Sequence, residues 1–380
     1  MSTVSHVPGL RSTAVIEDPA RSATLPGWAY TDESLYQRER QEIFAKSWLY
    51  VGSVHDVQRP GDYFTAGILN ESLIVVRSQD GELRAFYNVC QHRAHQLLQG
   101  SGHVGAIVCP YHSWSYATDG RLRAAPGCEA LPDFAKSGFS LKPVRLEVFA
   151  DHFIFCNLDP DAAPLCEQVG DLAADMRTEM PGFADYRPIR AAGDGHYMGN
   201  IDANWKVVVD NYVECYHCTT GHPAFCDLLD MPNYKTTSHG RWSVQKGALR
   251  APHNSAYPVA PDTANRRALF YWLWPCTSFN VVPGDPAIMF LLQWQPTGVG
   301  TTATICHFFG PEGGVCDQPR LDYLDKVLGP EDQSLCESVQ RGLSSRGYGA
   351  GRIIHDPSSF QKTEIGVHAF HRLVAQSLGI

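Results

Sequence analysis

Residues 210–225, DNYVECYHCTTGHPAF, decide how the rest of the chain is interpreted, because they place two histidines close together. His217 and His222 are separated by four residues. On a continuous helix, a residue five positions further on lies about 140° round the axis, so the two rings would point in different directions. Gly221 and Pro223 favour a helix end between them, because Gly supports a C-cap and Pro cannot continue a helix. His222 can then turn back towards the point that His217 faces.

Two neutral imidazoles and one carboxylate form the facial triad of a non-heme iron(II) centre, which leaves three coordination positions open. We predict a helix over residues 204–217 that carries the first histidine, and a later helix over 318–343 whose acids Glu331 and Asp332 can supply the carboxylate. Acids also favour the first turn of a helix because of its dipole, so both could have a purely structural role. The His-x4-His spacing alone is weak evidence in a chain with 16 histidines.

A second pattern of metal-binding residue types lies upstream. Cys90-Gln91-His92 and Cys109-Pro110-Tyr111-His112 each follow a predicted strand, so a hairpin can bring the two loops together. Two thiolates and two imidazoles suit a Rieske [2Fe-2S] cluster, in which the cysteines hold one iron and the histidines the other. A structural zinc site has the same number of ligands. Zinc fingers, however, usually pair Cys with Cys and His with His, whereas each loop here has one of each.

The composition is that of a globular protein, with 44% hydrophobic and 19% charged residues. A net charge of −9 argues against nucleic acid as a partner. Because we find neither a membrane-spanning apolar run nor a secretory leader pattern, we expect no membrane partner and a cytoplasmic location. In that compartment the 12 cysteines indicate thiols and metal ligands. Cys215 and Cys218 flank His217 and could suggest a zinc site, but thiolate ligation there would displace the facial geometry, so we expect both to be buried thiols.

Residues 45–160 predict a small all-β domain. Asp-Gly turns at Asp80-Gly81 and Asp119-Gly120 lie beside short runs rich in β-branched and aromatic residues, a pattern typical of tight hairpins. The preceding segment, residues 1–44, contains a predicted helix that Asp32 or Ser34 can cap. Both Cys-His pairs fall inside the predicted β domain.

Residues 161–380 predict a larger domain of strands and helices. Helices are expected over residues 165–180 and 358–378. Aromatic-rich runs between them are typical of an antiparallel sheet with one covered face. The predicted strands are residues 269–274, 278–282, 287–295 and 301–309.

At these motifs the sequence resembles a known family, the oxygenase (alpha) component of Rieske non-heme iron oxygenases. The resemblance rests on the C-x-H and C-x2-H loops and on the acid-x2-H-x4-H motif, and it covers the chain from about Trp48 onwards. It implies an α+β fold, with a small all-β Rieske [2Fe-2S] domain and a catalytic domain that has a large antiparallel sheet flanked by helices. The implied cluster ligands are Cys90, His92, Cys109 and His112. The implied iron ligands are His217, His222 and Asp332, with Glu331 as the alternative to Asp332.

The resemblance also implies a role for Glu214 in electron transfer. In much of the family an Asp stands here, hydrogen-bonded to the histidine that matches His217 and to the one that matches His112 in a neighbouring subunit. Such a group fixes the orientation of a ligand ring. Asp210, one helical turn earlier, is predicted to support the catalytic site, although a solvated Asp is equally expected there.

The resemblance implies a homotrimer that receives electrons from NAD(P)H through a separate flavin and iron–sulfur reductase. The chain itself has no G-x-G-x-x-G after a strand, so we do not expect it to bind the dinucleotide. Dioxygen would be the co-substrate.

The sequence ECYHC around His217 resembles a subgroup that acts on quaternary ammonium compounds of the carnitine, betaine or choline type. It implies a monooxygenase that carries out N-demethylation, C–N cleavage or hydroxylation. Aromatic rings attract such cations, and Tyr271, Trp274 and Phe290 are our candidate substrate contacts. Strand aromatics nevertheless belong more often to a core. A substrate carboxylate would suit one of Arg241, Arg266 and Arg267.

Two other interpretations stay open at this point. Within the family, an aromatic acid or an aryl methyl ether is the alternative substrate. From other classes, the chain could be a non-catalytic Rieske electron carrier or a zinc-stapled binding protein. A carrier would have no use for a second metal site, and a zinc protein would be colourless.

Overall fold

The computed structural model describes residues 13–128, 130–180, 182–189, 199–356, 359 and 363–380. They form two compact units. The first spans Phe44–Ala173, and the second combines the described residues up to Ile43 with Ala174–Ile380. The first unit therefore extends beyond the limit of residue 160 that the sequence suggested. None of the helices in the described ranges has the length and apolar character needed to cross a membrane.

The Phe44–Ala173 unit, here called the β unit, contains two antiparallel sheets. Their strand orders are β1-β10-β9-β4-β3-β2-β5 and β6-β7-β8. The strands are β1 (Leu49–Ser53), β2 (Asp62–Ile68), β3 (Glu71–Arg77), β4 (Leu83–Tyr87), β5 (Ser101–His103), β6 (Ile107–Val108), β7 (Ser115–Tyr116), β8 (Leu122–Ala124), β9 (Pro143–Phe149) and β10 (Phe153–Asn157).

The core of the β unit lies directly behind the two Cys-His loops. Ile74 and Phe86 of the large sheet pack in one apolar cluster with Trp114 and both loop cysteines. The predicted turn at Gly120 closes this cluster. Its φ of 89° is in the left-handed region, and an added Cβ would lie 2.5 Å from the Phe86 ring, so only glycine fits.

The second unit, here called the catalytic unit, contains an antiparallel sheet in the order β11-β18-β17-β16-β15-β14-β13, with β12 also paired to β18. The strands are β11 (Arg187–Ile189), β12 (Asn200–Ile201), β13 (Lys235–Ser238), β14 (Trp242–Ala248), β15 (Arg267–Leu273), β16 (Thr277–Val281), β17 (Met289–Gly298) and β18 (Thr301–Gly310). These two units confirm the predicted α+β class with one small and one large sheet domain.

Most of the helices belong to the catalytic unit. Asp32 caps α2 as predicted, since its side chain accepts the N–H groups of Ser34 and Leu35. The helices are α1 (Trp28–Thr31), α2 (Glu33–Glu42), α3 (Leu165–Val169), α4 (Leu172–Glu179), α5 (Trp205–Tyr212), α6 (Cys218–Gly221), α7 (Pro223–Leu228), α8 (Gln318–Tyr323), α9 (Gly329–Leu343) and α10 (Ile365–Leu378).

Two predicted helices are wrong in their extent. The helix predicted over 165–180 is divided, because Gly170 adopts a left-handed φ of 52°. The helix predicted over 204–217 ends at Tyr212. The carboxylate of Glu214 accepts the N–H groups of Tyr216 and His217, which starts a new turn instead of continuing α5.

The two closing helices also differ from prediction. Residues 318–343 are helical throughout, but a π-helical turn, Leu324–Leu328, separates α8 from α9. Pro330 follows this turn and has no N–H to donate, so the wider hydrogen bonding upstream accommodates it. The last helix begins at Ile365, while the predicted start at Ser358 lies outside the described residues.

Candidate metal centres

Three side chains of the catalytic unit converge on one point. Nε2 of His217 lies 3.0 Å from Nε2 of His222, and Oδ1 of Asp332 lies 2.9 Å from His222 Nε2 and 3.6 Å from His217 Nε2. Ligand atoms held about 2.1 Å from one ion at right angles would be about 3.0 Å apart. The three atoms therefore fit one face of an iron octahedron and leave the opposite face open.

The local sequence explains how the two histidines meet. His217 immediately precedes α6, and His222 occupies the single position between the end of α6 at Gly221 and the start of α7 at Pro223. The break that Gly and Pro predict is thus where His222 turns back. His217 itself stands outside α5, so the prediction that α5 carries it is wrong.

Each histidine has a carboxylate behind it. Nδ1 of His217 is hydrogen-bonded to Oε1 of Glu214, and Nδ1 of His222 to Oε2 of Glu331, at 2.5 and 2.8 Å. An imidazole whose Nδ1–H donates to a carboxylate turns the Nε2 lone pair towards the metal. Glu331, the alternative ligand, therefore contacts the far side of His222, and Asp332 faces the convergence point.

The electrostatics of the site favour positive charge. Burial lowers the pKa of His217, but its hydrogen bonds to Asp332 and Glu214 and their negative charges outweigh burial and raise this pKa to about 10. Burial raises the pKa of Asp332, but its hydrogen bonds to both histidines outweigh this effect, and the pKa is below its ordinary value. A divalent cation can replace the two imidazole protons, so metal uptake should release protons.

A cavity opens beside the three converging side chains. Its floor is a row of register neighbours on four strands, since Gln245 pairs with Phe270, Phe270 with Asn280, and Asn280 with Phe290. Further aromatic lining residues are Tyr212, Phe225 and Tyr234. Apart from the metal-site groups, an aromatic surface therefore dominates this cavity.

The polar side chains of the floor are bonded to one another. The Tyr212 hydroxyl donates to Oδ1 of Asn280 at 2.5 Å, Nε2 of Gln245 donates to the Tyr212 carbonyl at 2.6 Å, and the Tyr234 hydroxyl donates to Oε1 of Gln245 at 3.2 Å. Burial raises the pKa of both tyrosines, so they stay neutral donors. This network gives the cavity a rigid wall.

Of the three aromatic residues that we selected as substrate contacts, only Phe290 lines the cavity. Tyr271 follows Phe270 on β15 and so points to the other face of the sheet, where its hydroxyl donates to Asp175 at 2.6 Å. Trp274 packs on Trp205 and Phe370 instead. Neither Tyr271 nor Trp274 is therefore a lining residue of the cavity: strand parity turns Tyr271 to the other face of the sheet, and Trp274 lies beyond the end of β15. The candidate carboxylate anchors Arg241, Arg266 and Arg267 are not lining residues of this cavity either.

The two Cys-His loops of the β unit repeat one backbone pattern. The N–H of Cys90 donates to the carbonyl five residues on, and the N–H of Ala94 donates back to the Cys90 carbonyl, at 2.8 and 3.0 Å. Cys109 and Ser113 repeat both bonds at the same lengths. Ala94 and Ser113 have matching left-handed φ values of 56° and 59°. The chain therefore builds the same loop twice, and each loop contains one of the two Cys-His pairs.

The side chains of these loops suit metal ligation. Cys90 and Cys109 are buried, and the rings of His92 and His112 face each other with centroids 4.7 Å apart. Nδ1 of His112 is buried and has no hydrogen-bond partner among the described residues. A buried polar atom without a partner is unfavourable unless something else satisfies it, and a metal would do so.

One ion cannot satisfy all four of these ligands. Within the described ranges, His217, His222 and Asp332 form the one group of at least three such side chains with ligand atoms within 4.8 Å of one another. Cys90, His92, Cys109 and His112 are therefore spread too widely for a single zinc. The donor set suits a cluster whose two irons divide the ligands, two cysteines on one and two histidines on the other.

Comparisons with known proteins agree with this geometry. Residues 47–135 match the family model of the Rieske [2Fe-2S] domain, and residues 183–379 match the ring hydroxylating alpha subunit (catalytic domain). The carnitine monooxygenase oxygenase subunit of Escherichia coli (strain K12) is 38% identical over 363 residues, which are 94% of this chain and 95% of that protein. The chain belongs to the Rieske non-heme iron oxygenases.

Two further relatives are similar over most of the chain. The crystal structure of a quaternary ammonium Rieske monooxygenase in complex with L-carnitine is 36% identical, with a TM-score of 0.81, over 95% of this chain and 97% of that one. The chloroplastic choline monooxygenase of Amaranthus tricolor is 29% identical over 93% of this chain and 78% of that protein.

Membership of the family confirms several predictions. This Rieske oxygenase is an oxidoreductase of the monooxygenase type, and its cofactors are a Rieske [2Fe-2S] cluster and a mononuclear iron. As an oxygenase subunit it acts on a small molecule with electrons from a separate reductase. The electron-carrier and zinc-protein interpretations therefore do not hold.

The structure of this Rieske oxygenase adds a residue that sequence reasoning missed. The hydroxyl of Tyr116 lies 3.3 Å from Sγ of Cys90 and accepts the N–H of Gln91 at 3.0 Å. Because that N–H occupies the oxygen, the hydroxyl proton is free to donate to the sulfur. Hydrogen bonds to cluster sulfurs influence the reduction potential. No sequence motif marks Tyr116, since β7 places it opposite the first loop only in the folded β unit.

The cysteines beside His217 correct another prediction. Cys215 and Cys218 form a disulfide, with Cα atoms 5.0 Å apart, and both line the cavity. The prediction of free thiols is wrong. It considered only metal ligation and not the turn after α5, which brings the two Cα atoms within the range that a disulfide requires.

Proposed function

We propose that this Rieske oxygenase hydroxylates, demethylates or cleaves a small quaternary ammonium compound of the carnitine, betaine or choline type. The observation that carries the proposal is the aromatic cavity beside His217, His222 and Asp332. Relatives that are carnitine and choline monooxygenases support the same substrate class.

The cavity lining suits a trimethylammonium group. Phe270 and Phe290 present rings from neighbouring strands, and Phe225 packs 5.6 Å from Phe270. Each contact of a cation with an aromatic face contributes about 0.5 to 2 kcal/mol, more where water is excluded. Because the polar groups of the floor are bonded to one another, the floor offers the cation its aromatic rings and few free polar atoms.

We assign the metal ligands on the geometry described above. His217, His222 and Asp332 would hold the mononuclear iron, while Cys90, His92, Cys109 and His112 would hold the cluster. When bound, the iron supplies oxygen activation and the cluster supplies electrons. The chain itself orients the imidazoles through Glu214 and Glu331, places the substrate between aromatic rings, and shields the reacting C–H bond from water.

The same proposal includes the electron path and the assembly. We infer that Glu214 links His217 to the His112 of a neighbouring subunit in a homotrimer, that NAD(P)H is the electron source, and that the protein is cytoplasmic, where NAD(P)H is available. The contact between Glu214 and His217 supports the first half of this link. Glu214 is one methylene longer than the Asp common in the family, so it can reach further.

Substrate-stimulated oxygen uptake with a reductase tests the substrate class. We expect carnitine, betaine or choline to stimulate uptake and to be oxidised, and benzoate or an aryl methyl ether not to be. An uncharged analogue with a tert-butyl group in place of trimethylammonium has the same shape and should bind more weakly. If benzoate alone were oxidised, the substrate proposal would be wrong while the family assignment would stand.

A matched pair of variants tests whether Phe290 contacts the quaternary ammonium group. Phe290→Leu should raise the KM for the quaternary substrate by about 2- to 30-fold, which corresponds to one cation–π contact. Phe279→Leu removes a ring from the opposite face of the same sheet and should leave that KM unchanged. Equal effects of the two changes would indicate general loosening of the sheet.

A further inference from the structure

The cavity beside the metal-binding side chains has polar lining residues as well as aromatic ones. Outside the metal site, the described residues that line it with an amide or a hydroxyl group are Asn211, Tyr212, Tyr234, Gln245 and Asn280. Four of these five side chains are hydrogen-bonded to one another or to the backbone. The side-chain amide of Asn211 is the exception, since it makes no hydrogen bond to any residue that the structure describes.

Asn211 lies in the last turn of α5, between two residues with different surroundings. Tyr212, the next residue, belongs to the floor through its bond to Asn280. Asp210, the preceding residue, is a lining residue of a second cavity and not of the first. Successive residues of a helix point about 100° apart, so Asn211 points between these two directions. It is half-buried and lines both cavities.

The acidic neighbours of Asn211 already have other hydrogen-bond partners. The Tyr30 hydroxyl donates to Oδ2 of Asp210 at 2.6 Å, and Nε2 of His371 is hydrogen-bonded to Oδ1 at 2.8 Å. The carboxylate of Glu214 is bonded to Nδ1 of an iron-site histidine and to two backbone N–H groups. The Asn211 amide therefore remains available to a ligand in the cavity.

An amide in a partly buried wall is best satisfied by a group that both donates and accepts hydrogen bonds. A hydroxyl group does both, because its O–H can donate to the amide oxygen while its own oxygen accepts an amide N–H. A carboxylate can only accept, and it would lie near two further carboxylates, those of Asp210 and Glu214. The position of Asn211 therefore suits an uncharged hydroxyl group better than a carboxylate.

The aromatic residues of the same cavity suit the other end of such a ligand. Phe270 and Phe290 are on strands of the floor, and Phe225 is on α7. Their rings can attract a trimethylammonium group, while the amide of Asn211 is on α5. One cavity thus has separate places for a cation and for a neutral hydroxyl group.

We propose that Asn211 is a specificity-determining residue that binds a hydroxyl group on the carbon chain carrying the quaternary nitrogen. The substrate is then a quaternary amino alcohol, such as choline or the hydroxyl-bearing carnitine, and not a betaine without a hydroxyl group. The amide binds and orients the substrate and takes no part in bond breaking. This inference rests on the proposed function, because it names the substrate class of the same site.

Two ligand pairs that differ by one hydroxyl group test this assignment. L-carnitine and γ-butyrobetaine form one pair, and choline and ethyltrimethylammonium form the other. Calorimetry on the metal-loaded protein without a reductase measures binding in the absence of turnover. A net hydrogen bond of ordinary strength corresponds to about 2- to 13-fold in affinity, so the wild type should bind the hydroxylated member of each pair more tightly by that factor.

Asn211→Leu should abolish this preference in both pairs. Leucine is similar in size and favours a helix, so the variant should fold and should bind the two ligands without a hydroxyl group no more weakly than the wild type does. Asn211→Ala is a second variant with the same expected result. The control is Asn233→Leu, the same change at an exposed position that lines neither cavity, and it should keep the preference.

The possible outcomes separate this inference from the proposed function. Equal affinity within each pair for the wild type, or an unchanged preference in Asn211→Leu, would overturn the role of Asn211 and leave the quaternary ammonium proposal standing. An equal loss of affinity for all four ligands in both Asn211 variants would also overturn it, because it would indicate a structural role. Wild-type protein that binds none of the four ligands would overturn the proposed function itself.

Discussion

The two metal-binding regions of this Rieske oxygenase are built in different ways. The cluster region uses two loops of six residues each, with the same backbone bonds at Cys90 and Cys109, close together in one unit. The iron region joins His217 and His222 to Asp332, which is 110 residues beyond His222. A local loop specifies its ligands through its own hydrogen bonds. A site assembled from distant segments depends on how helices pack, and it therefore needs supporting carboxylates behind its ligands.

Removing one ligand from each region is the strongest test of whether the two metal-binding regions form independently. Asp332→Asn should abolish iron binding and lower turnover by at least about 1,000-fold, while the reduced cluster keeps its EPR signal. His112→Ala should lose the cluster signal and keep the mononuclear iron. Iron analysis together with EPR of dithionite-reduced protein measures both, with about three irons per chain expected in the wild type. Loss of both centres in either variant would show that the two regions fold as one.

Removing one of the carboxylates behind the histidines should have a smaller effect. The two variants distinguish orientation of a ligand ring from electron transfer. Glu331 orients His222 only, so Glu331→Gln should weaken iron affinity by about 10- to 100-fold. Glu214→Gln should leave both centres loaded but slow turnover strongly, if Glu214 also carries the electron link. Titration with a metal chelator and single-turnover kinetics distinguish the two variants. Normal turnover in Glu214→Gln would contradict the proposed role of Glu214 in electron transfer between subunits.

The cluster region has its own supporting group, with the smallest expected effect. Tyr116→Phe removes the hydroxyl beside Sγ of Cys90, so the reduced cluster loses a stabilising hydrogen bond and its reduction potential should fall. Iron content and the affinity of the mononuclear site should not change. Tyr63→Phe, a tyrosine that packs against the same core, is the control for losing a hydroxyl. An unchanged potential in Tyr116→Phe would mean that the hydroxyl does not donate to the sulfur.

Much of the architecture was predictable, and the two errors beside His217 share one cause. Asp-Gly turns, a capped N-terminal helix and aromatic strands correctly indicate an α+β fold, because each depends on a few neighbouring residues. The helix assigned to residues 204–217 fails because Glu214 captures the N–H groups of Tyr216 and His217, a contact that residue periodicity does not reveal. The same turn produces the disulfide of Cys215 and Cys218.

The sequence alone determined what each metal region is made of, because Cys-His loops and a His-x4-His segment interrupted by Gly and Pro are local patterns. Only the tertiary structure decided which acid faces the iron position. Adjacent residues on a helix point about 100° apart, so the packing of α9 turns Asp332 to the front of His222 and Glu331 to its back. It also decided that Phe290 and not Tyr271 lines the cavity. Alternate residues of a strand point to opposite faces of the sheet, and only the folded structure shows which face borders the cavity.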